Sequence, residues 1–574
     1  MSRDISYEEV VAGLAKFGSQ RKAAAGLDIS LGKLQRTLRR GGRPKPEAEA
    51  GAEQPVISGR VHSTGHEHLD LPRPGQTRRF IITSAQNNTK IHDDVWATLQ
   101  SVARHYDAEI LVSRFTYYKG FYRQAGRVKG ERRAGDFEGL WFDRRIKGYL
   151  CDHRLSLTSD LVFCGDLNII PTDSDPFSGL DSLTGQASTI IPHAKFGLRS
   201  VATMRGEPAK MLFSTGTVTQ RNYVPRKTGQ KADFHHGYGG LLVEVDHDGT
   251  WFVRQLNADT GGVIYDLDKR FDPDGTIETG VRAEALTVGD LHPAHRDAAE
   301  YMLARQIVDD LRPFRVFLHD SLDFRTRNHH DRRDPFRRFE SHVKGFRLVE
   351  DEVFDAMAAI AGFVRKMHGN FLDDNEVIVV GSNHDNALMR WLREADHRED
   401  VPNATYYLRA SLAVFNYIEK HRSLEGFSIM RWALNDILMS GTRRAHLFKI
   451  NLDERENQIV FLDEQDSFVI CEGQGGGIEC GMHGHLGPNG SRGSPKQFAK
   501  MGRKANTAHT HSAGIVDGVY TAGVTARLEQ GYNSGPSSWS HSHIVTYPNA
   551  KRAIITTAYR RRAYKGGQHP QAKA

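Results

Sequence analysis

The sequence predicts an α/β protein, on three observations. Between residues 283 and 385, short apolar runs (AEALTVG, RVFLH, EVIVVG) alternate with segments of helical period. Near residue 78, RRFIITSAQNN, HDDVWATLQSVARHY and AEILVSRF read strand–helix–strand. Only short helical segments fill the first forty positions. The 574 residues leave room for about three or four domains. With 39% hydrophobic and 26% charged residues, the chain is of globular composition. It has no run of eighteen apolar residues, which excludes a transmembrane helix and any membrane partner of that kind. The acidic start MSRDISYEEVV lacks the apolar core of a signal peptide. Four cysteines without a C-x-x-C pair argue against a disulfide scaffold or a thiolate zinc site. A reducing cytoplasm is the expected compartment.

Residues 6–40 read as three short helices. Ser6 and Glu9 form a capping box, and Val10, Leu14 and Phe17 give the first helix an apolar stripe. Small alanines in SQRKAAAGL permit close packing of the second. In the third, Leu31, Leu34 and Leu38 face inward, leaving Lys33, Gln35, Arg36, Arg39 and Arg40 outside. The stretch GSQRKAAAGLDISLGKLQRTLRR resembles a Fis-type helix-turn-helix. That resemblance implies a DNA-binding module at 1–40, with the five polar residues of its third helix at the major groove. Residues 41–77 hold five prolines and six glycines in 37 positions, the composition of a flexible linker.

Residues 78–280 read as an α/β or α+β domain of unassigned role. LLVEVDHDGTWFVRQL fits a β-hairpin. Gly165-Asp166 imitates a metal-site dipeptide, but no D-x-H precedes it, so Asp166 is expected to be structural. Ser84, Gln86, Asn87 and Asn88 are polar residues at a strand end, and His235-His236 is ambiguous.

The chemistry is concentrated beyond residue 280. The first apolar strand there ends in Asp290-Leu291-His292, the second in Asp320 with Asp323 three residues on, and the third in Ser382-Asn383-His384-Asp385. Ligands of open α/β sheets gather at the carboxyl ends of strands. Downstream come His483-Gly484-His485, a glycine-rich turn carrying Arg492, and NTAHTH with His509 and His511. Asp, His and Asn together suit Mn²⁺, Fe²⁺, Zn²⁺ or Mg²⁺ without a thiol. His295, His329, His330, His541 and His543 read as background.

The order GDLH (289–292), HDSLD (319–323), GSNHD (381–385), GMHGH (481–485) and AHTH (508–511) resembles the calcineurin-like metallophosphoesterases. His319, Ser382 and Ala508 stand where that family usually has glycine, and the spacings between the second, third and fourth motifs are long. The resemblance implies a β-sandwich flanked by helices over 281–560 and a site for two divalent ions, Mn²⁺ foremost. Asp290, His292, Asp320 and His511 would hold one ion. Asp320, Asn383, His483 and His509 would hold the other, with His485 the rival of His483. His384 would be catalytic, with Asp385 orienting it.

Phosphatases and SbcD-type nucleases share these motifs. The helix-turn-helix and the basic tail YRRRAYKGGQHPQAKA (561–574 at its core) favour DNA, with Arg492 as a phosphate contact. The stretch from MHGHLGPNGSRGSP to YPNAKRAII is similar to phage-encoded pre-early DNA-degrading proteins of T-five-type coliphages. This implies a metal-dependent DNase in an infected bacterial cytoplasm, with homo-oligomerisation also implied. The alternatives are a phosphomonoesterase or cyclic phosphodiesterase on small substrates, a DNA-binding regulator with a vestigial site, or an enzyme acting on RNA.

Overall fold

The computed structural model describes residues 7–17, 20–29, 34, 57–58, 65–117, 140–328, 334–364, 375–439, 459–531, 533–558 and 561–568. The chain forms two units, Met1–Val56 and Ile57–Ala574. In the first, the helices Tyr7–Phe17 and Gln20–Gly26 are present. Val10, Ala23, Ala24 and Leu34 are buried together, as the apolar stripe and the small alanines predict. Lys33, Gln35, Arg36, Arg39 and Arg40 lie outside the described residues.

The second unit is a mixed α/β body. Four parallel strands, Ala285–Thr287, Arg315–Leu318, Glu376–Val379 and Ile459–Phe461, are completed by the antiparallel pair Ser542–Thr546 and Arg552–Thr556. Period-two alternation sorts their side chains. Leu286, Val316, Val377 and Val379 face the helices Ala298–Leu311 and Val349–Ala361. Ala285, Phe317, Ile378 and Val380 face Ile470, Ile478 and Cys480 of a second sheet. Covering both faces explains why these strands read as unbroken apolar runs. On the first helix, Tyr301 and Leu303 are buried while Met302 is 37% exposed.

A four-stranded sheet holds Thr77–Gln86 and Ala108–Phe115 in parallel, with the helix Asp93–Tyr106 as their crossover. The expected hairpin is present as Gly239–Asp246 against Trp251–Asn257. Ser84 Oγ donates to the Gly216 carbonyl and Gln86 Nε2 to that of Asn222, so these strand-end polar groups tie the fold together. Asp166 pairs with Arg154 at 3.0 Å.

Three expected boundaries change. The linker expected over 41–77 ends earlier, since Ile57–Ser58 pairs with Trp141–Phe142 and His66–His68 with Arg154–Ser156. Residue 280 does not divide two bodies, because His193–Val201 pairs antiparallel with Gly514–Val516 inside one eleven-stranded sheet. Ile544 and Ile554 also share a core with Phe80, Ile82, Leu241 and Val243. The basic tail is anchored through residue 568: Arg561 pairs with Asp246, and the buried Tyr564 donates its hydroxyl to Asp310. Among the described residues, no helix is long and apolar enough to cross a membrane.

His236 is a structural histidine with a measurable signature. Its Nε2 donates to the Thr219 carbonyl at 2.9 Å and its Nδ1 accepts from the Tyr223 hydroxyl at 2.7 Å, which fixes the neutral ring. Burial pushes its pKa down from 6.5 to about 3. The unfolded chain therefore takes up a proton that the folded chain refuses. The stability from this ring is complete above pH 6.5 and is lost as pH falls toward 3. The melting-temperature gap between the parent and His236→Gln should narrow steadily as pH is lowered through that range. A gap independent of pH would contradict this reading.

Candidate metal centre

The site forms where two sheets deliver strand ends to one edge. Asp290, Asp320 and the 382–385 turn follow three parallel strands of the six-stranded sheet. His483 follows Ile478–Glu479, and His509 and His511 follow Lys504–Thr507, two strands parallel to each other in the second sheet. Close approach of the sheets explains Gly289, since a Cβ there would lie 2.9 Å from the backbone of Gly523. The Asp290 amide donates to the Gly523 carbonyl, and the Thr525 amide donates to the Asp290 carbonyl.

Asp290, His292, Asp320 and His511 are buried, and each offers a ligand atom within 4.8 Å of the others. His511 Nε2 lies 3.0 Å from Asp290 Oδ2, and His292 Nε2 lies 3.3 Å from Asp320 Oδ2. The Nε2 atoms of His292 and His511 face each other at 2.9 Å. His483 Nε2 is 3.3 Å from Asp320 Oδ1 and its Nδ1 is 3.9 Å from Asp290 Oδ1. The His509 ring packs 5.0 Å from that of His483, while its amide donates to Asp290 Oδ2 at 2.9 Å. His292, Asp320, His509 and His511 all have left-handed backbones, with φ of 41°, 47°, 69° and 56°. Such conformations are costly for non-glycine residues and persist where the surrounding fold imposes them.

The donor set fits a cation. Asp290 Oδ1, Asp320 Oδ1 and both ring nitrogens of His483 are buried without a hydrogen-bond partner. Among the described residues, neither aspartate has a lysine or arginine ion-pair partner; their charged neighbours are histidines. Burial opposes charge on His292, but the Asp323 and Asp320 carboxylates outweigh it and raise its pKa well above 6.5. Burial also opposes charge on Asp320, yet His483, His384 and His292 hold its pKa well below 3.8. Burial drives His483 down to about 3, which keeps it a neutral ligand. A cation would replace the proton on His292, so binding should release protons.

The structure separates His483 from His485. His483 faces the two aspartates, whereas His485 Nε2 bonds Glu464 at 2.8 Å. Two assignments need correction. Asn383, expected as a ligand, is exposed, unlike the buried Asp290, His292, Asp320 and His511. In its turn, Ser382 Oγ accepts from the Asp385 amide, which buries residues 382 and 385 and leaves 383 outward. Asp385 accepts from the Leu322 amide at 2.9 Å, so it anchors the Asp320–Asp323 loop and not the His384 ring. Burial and the Asp320 charge raise its pKa well above 3.8. The carboxylate near His384 is Asp323: Asp323, His384 and His292 form a second convergent group, with the His384 and His292 rings edge to face at 4.8 Å. Arg492 is exposed in the turn beyond His485 and does not join the cluster.

The sequence reading gave no role to Asp323, Glu464 or His319. Asp323 Oδ1 bonds His292 Nδ1 at 2.6 Å, fixing the ring that offers its Nε2. Its D-x-x-D spacing from Asp320 was a usable signal. His319 is fully buried beside His483, with neither ring nitrogen bonded, and the replacement of a motif glycine by histidine marked it. Nothing in the sequence near Glu464 pointed to the site. His541 and His543 are buried around Glu300, and His543 Nδ1 accepts from the Gly289 amide, a supporting role.

Fold and site define a mixed α/β protein with a buried Asp–His centre able to hold a metal ion. The sequence is 38% identical over 520 residues to Protein A1 of Escherichia phage T5, covering 88% of this chain and 85% of that protein. The chain belongs to the family of that phage protein. No family model matches it, and no solved structure gives a significant match.

Proposed function

We propose that this protein is a phage-encoded, metal-dependent phosphodiesterase that cleaves DNA in the host cytoplasm. The observation that carries the reading is the convergence of Asp290, His292, Asp320 and His511, with buried carboxylate oxygens left for a cation. The strand-end motif order, which resembles that of calcineurin-like metallophosphoesterases, supports phosphoester hydrolysis. The Fis-type N-terminal segment supports DNA.

Asp290, His292, Asp320 and His511 would hold one divalent ion, and Asp320, His483 and His509 would contribute to a second, with Mn²⁺ the foremost candidate. Divalent ions in such a site neutralise phosphoryl oxygens and supply hydroxide at neutral pH. The protein's own part is orientation and proton transfer. Asp323 fixes the His292 tautomer, and Asp385 fixes the loop between Asp320 and Asp323. His384, half-buried at the rim, would give a proton to the leaving oxygen.

A divalent-ion panel on end-labelled linear DNA, closed circular DNA, RNA and p-nitrophenyl esters tests this reading. DNA cleavage in Mn²⁺ that stops in EDTA is the expected result. Ester hydrolysis with no cleavage of DNA would favour a small-molecule phosphoesterase. DNA binding without hydrolysis in any ion would favour a regulator.

A further inference from the structure

The two loops that leave the site open into a cleft of about 970 Å³. One wall, Phe324 to Asn328, follows Asp323 directly. The facing wall is the helix Ala387–Glu394, two residues beyond Asp385. A third element, the helix Pro335–Val343, closes the cleft from the segment between the second and third motifs. The cleft therefore starts where the site's own loops end.

Its lining combines aromatic rings with guanidinium groups. Phe324 and Trp391 pack at 5.9 Å, and Arg325 lies over the Phe346 ring at 5.4 Å. Phe339 is 69% exposed, on a helix that also leaves Phe336 and Val343 exposed. Arg338 and Arg347 are exposed beside it. The walls also carry acids: Asp400 is paired with Arg327 and Asp396 with Arg398, and Asp351 lies in the wall as well. Glu394 ends the facing helix, about 10 Å along its axis from the site end, and Glu399 lies beyond it.

We propose that this cleft holds a short single-stranded stretch of polynucleotide next to the phosphodiester being cleaved. Bases would stack on Phe339 and Phe346, and Arg338 and Arg347 would meet phosphates. An unpaired base presents a free face to an aromatic ring, and its backbone suits guanidinium groups. A base within a duplex has no free face to offer. This proposal rests on the phosphodiesterase reading above, and it adds the substrate form and the residues that select it.

The test is fluorescence anisotropy of the full chain with a short end-labelled single strand. EDTA removes cleavage, and excess unlabelled duplex occupies the N-terminal module. Phe339→Ala should weaken binding about tenfold or more. The pair Arg338→Gln and Arg347→Gln should weaken binding and flatten its salt dependence. Parent-like single-strand affinity in both variants, with DNA still cleaved by the parent in Mn²⁺, would overturn the cleft and leave the phosphodiesterase reading standing. A parent that hydrolyses bis(p-nitrophenyl) phosphate but neither binds nor cuts DNA would overturn the polynucleotide reading, and the cleft's occupant with it.

Discussion

Asp320→Ala should abolish DNA cleavage, with a loss of about a thousandfold or more, and should strip the protein of bound divalent ion. The scale follows from position. Asp320 touches His292, His483 and His511, so three of the buried imidazoles converge on this carboxylate. No lysine or arginine pairs with it among the described residues, so no other group replaces its charge. Stability should fall as well. Asp290 and Asp320 are both buried, and each carboxylate opposes charge on the other. The neighbouring His483, His384 and His292 outweigh that repulsion and hold Asp320 charged, so removing it costs stability and the melting temperature should fall in EDTA at neutral pH. Asp320→Asn, which keeps the shape, should reproduce the loss of activity. Metal content by mass spectrometry, melting in EDTA and cleavage rates together check the set. Full activity with retained metal would remove Asp320 from the centre.

His384→Ala should have the second largest effect, with a contrasting signature: metal content retained and turnover lowered about a hundredfold to ten-thousandfold. His384 sits at the rim with its ring edge-on to His292, outside the four-residue buried group. Its loss should spare the ligands and remove a proton donor. The split between retained metal and lost turnover separates the two variants. Parent-like turnover would show that another group protonates the leaving oxygen. His485, held by Glu464 with its ring 5.9 Å from that of His509, would then be the next to test.

The parts of this molecule legible in the sequence were those encoded locally. Three parallel strands each carry their polar residues immediately after the apolar run, so one motif at a time revealed Asp290, His292, Asp320 and His384. The hairpin at 239–257 was equally local. What was not legible depends on which segment lies opposite. Asp385 adjoins His384 in the sequence, whereas the carboxylate that converges with its ring is Asp323. The partner of Asp385 is an amide of a different loop, 63 positions away, which motif order cannot specify. Asn383 shows the same limit: a turn of hydrogen-bonded neighbours decides which side chain points outward. The boundary at 280 followed from a change in pattern along the chain, whereas the pairing of residues 198 and 199 with 514 and 515 is a tertiary choice. Arg561 reads as part of a basic tail until Asp246 is found beneath it.

That shared sheet also bears on how such a gene can change. A recombination crossover between two related copies exchanges everything on one side of a breakpoint. A breakpoint between residues 201 and 514 would set the strand from one parent against its neighbour from another, in the middle of an eleven-stranded sheet. Hybrids broken there must match a buried edge that neither parent was selected to match, and an unpaired edge invites aggregation. Breakpoints ahead of residue 57 leave that pairing intact, so the N-terminal unit is the portion free to be exchanged between lineages while the rest is inherited whole.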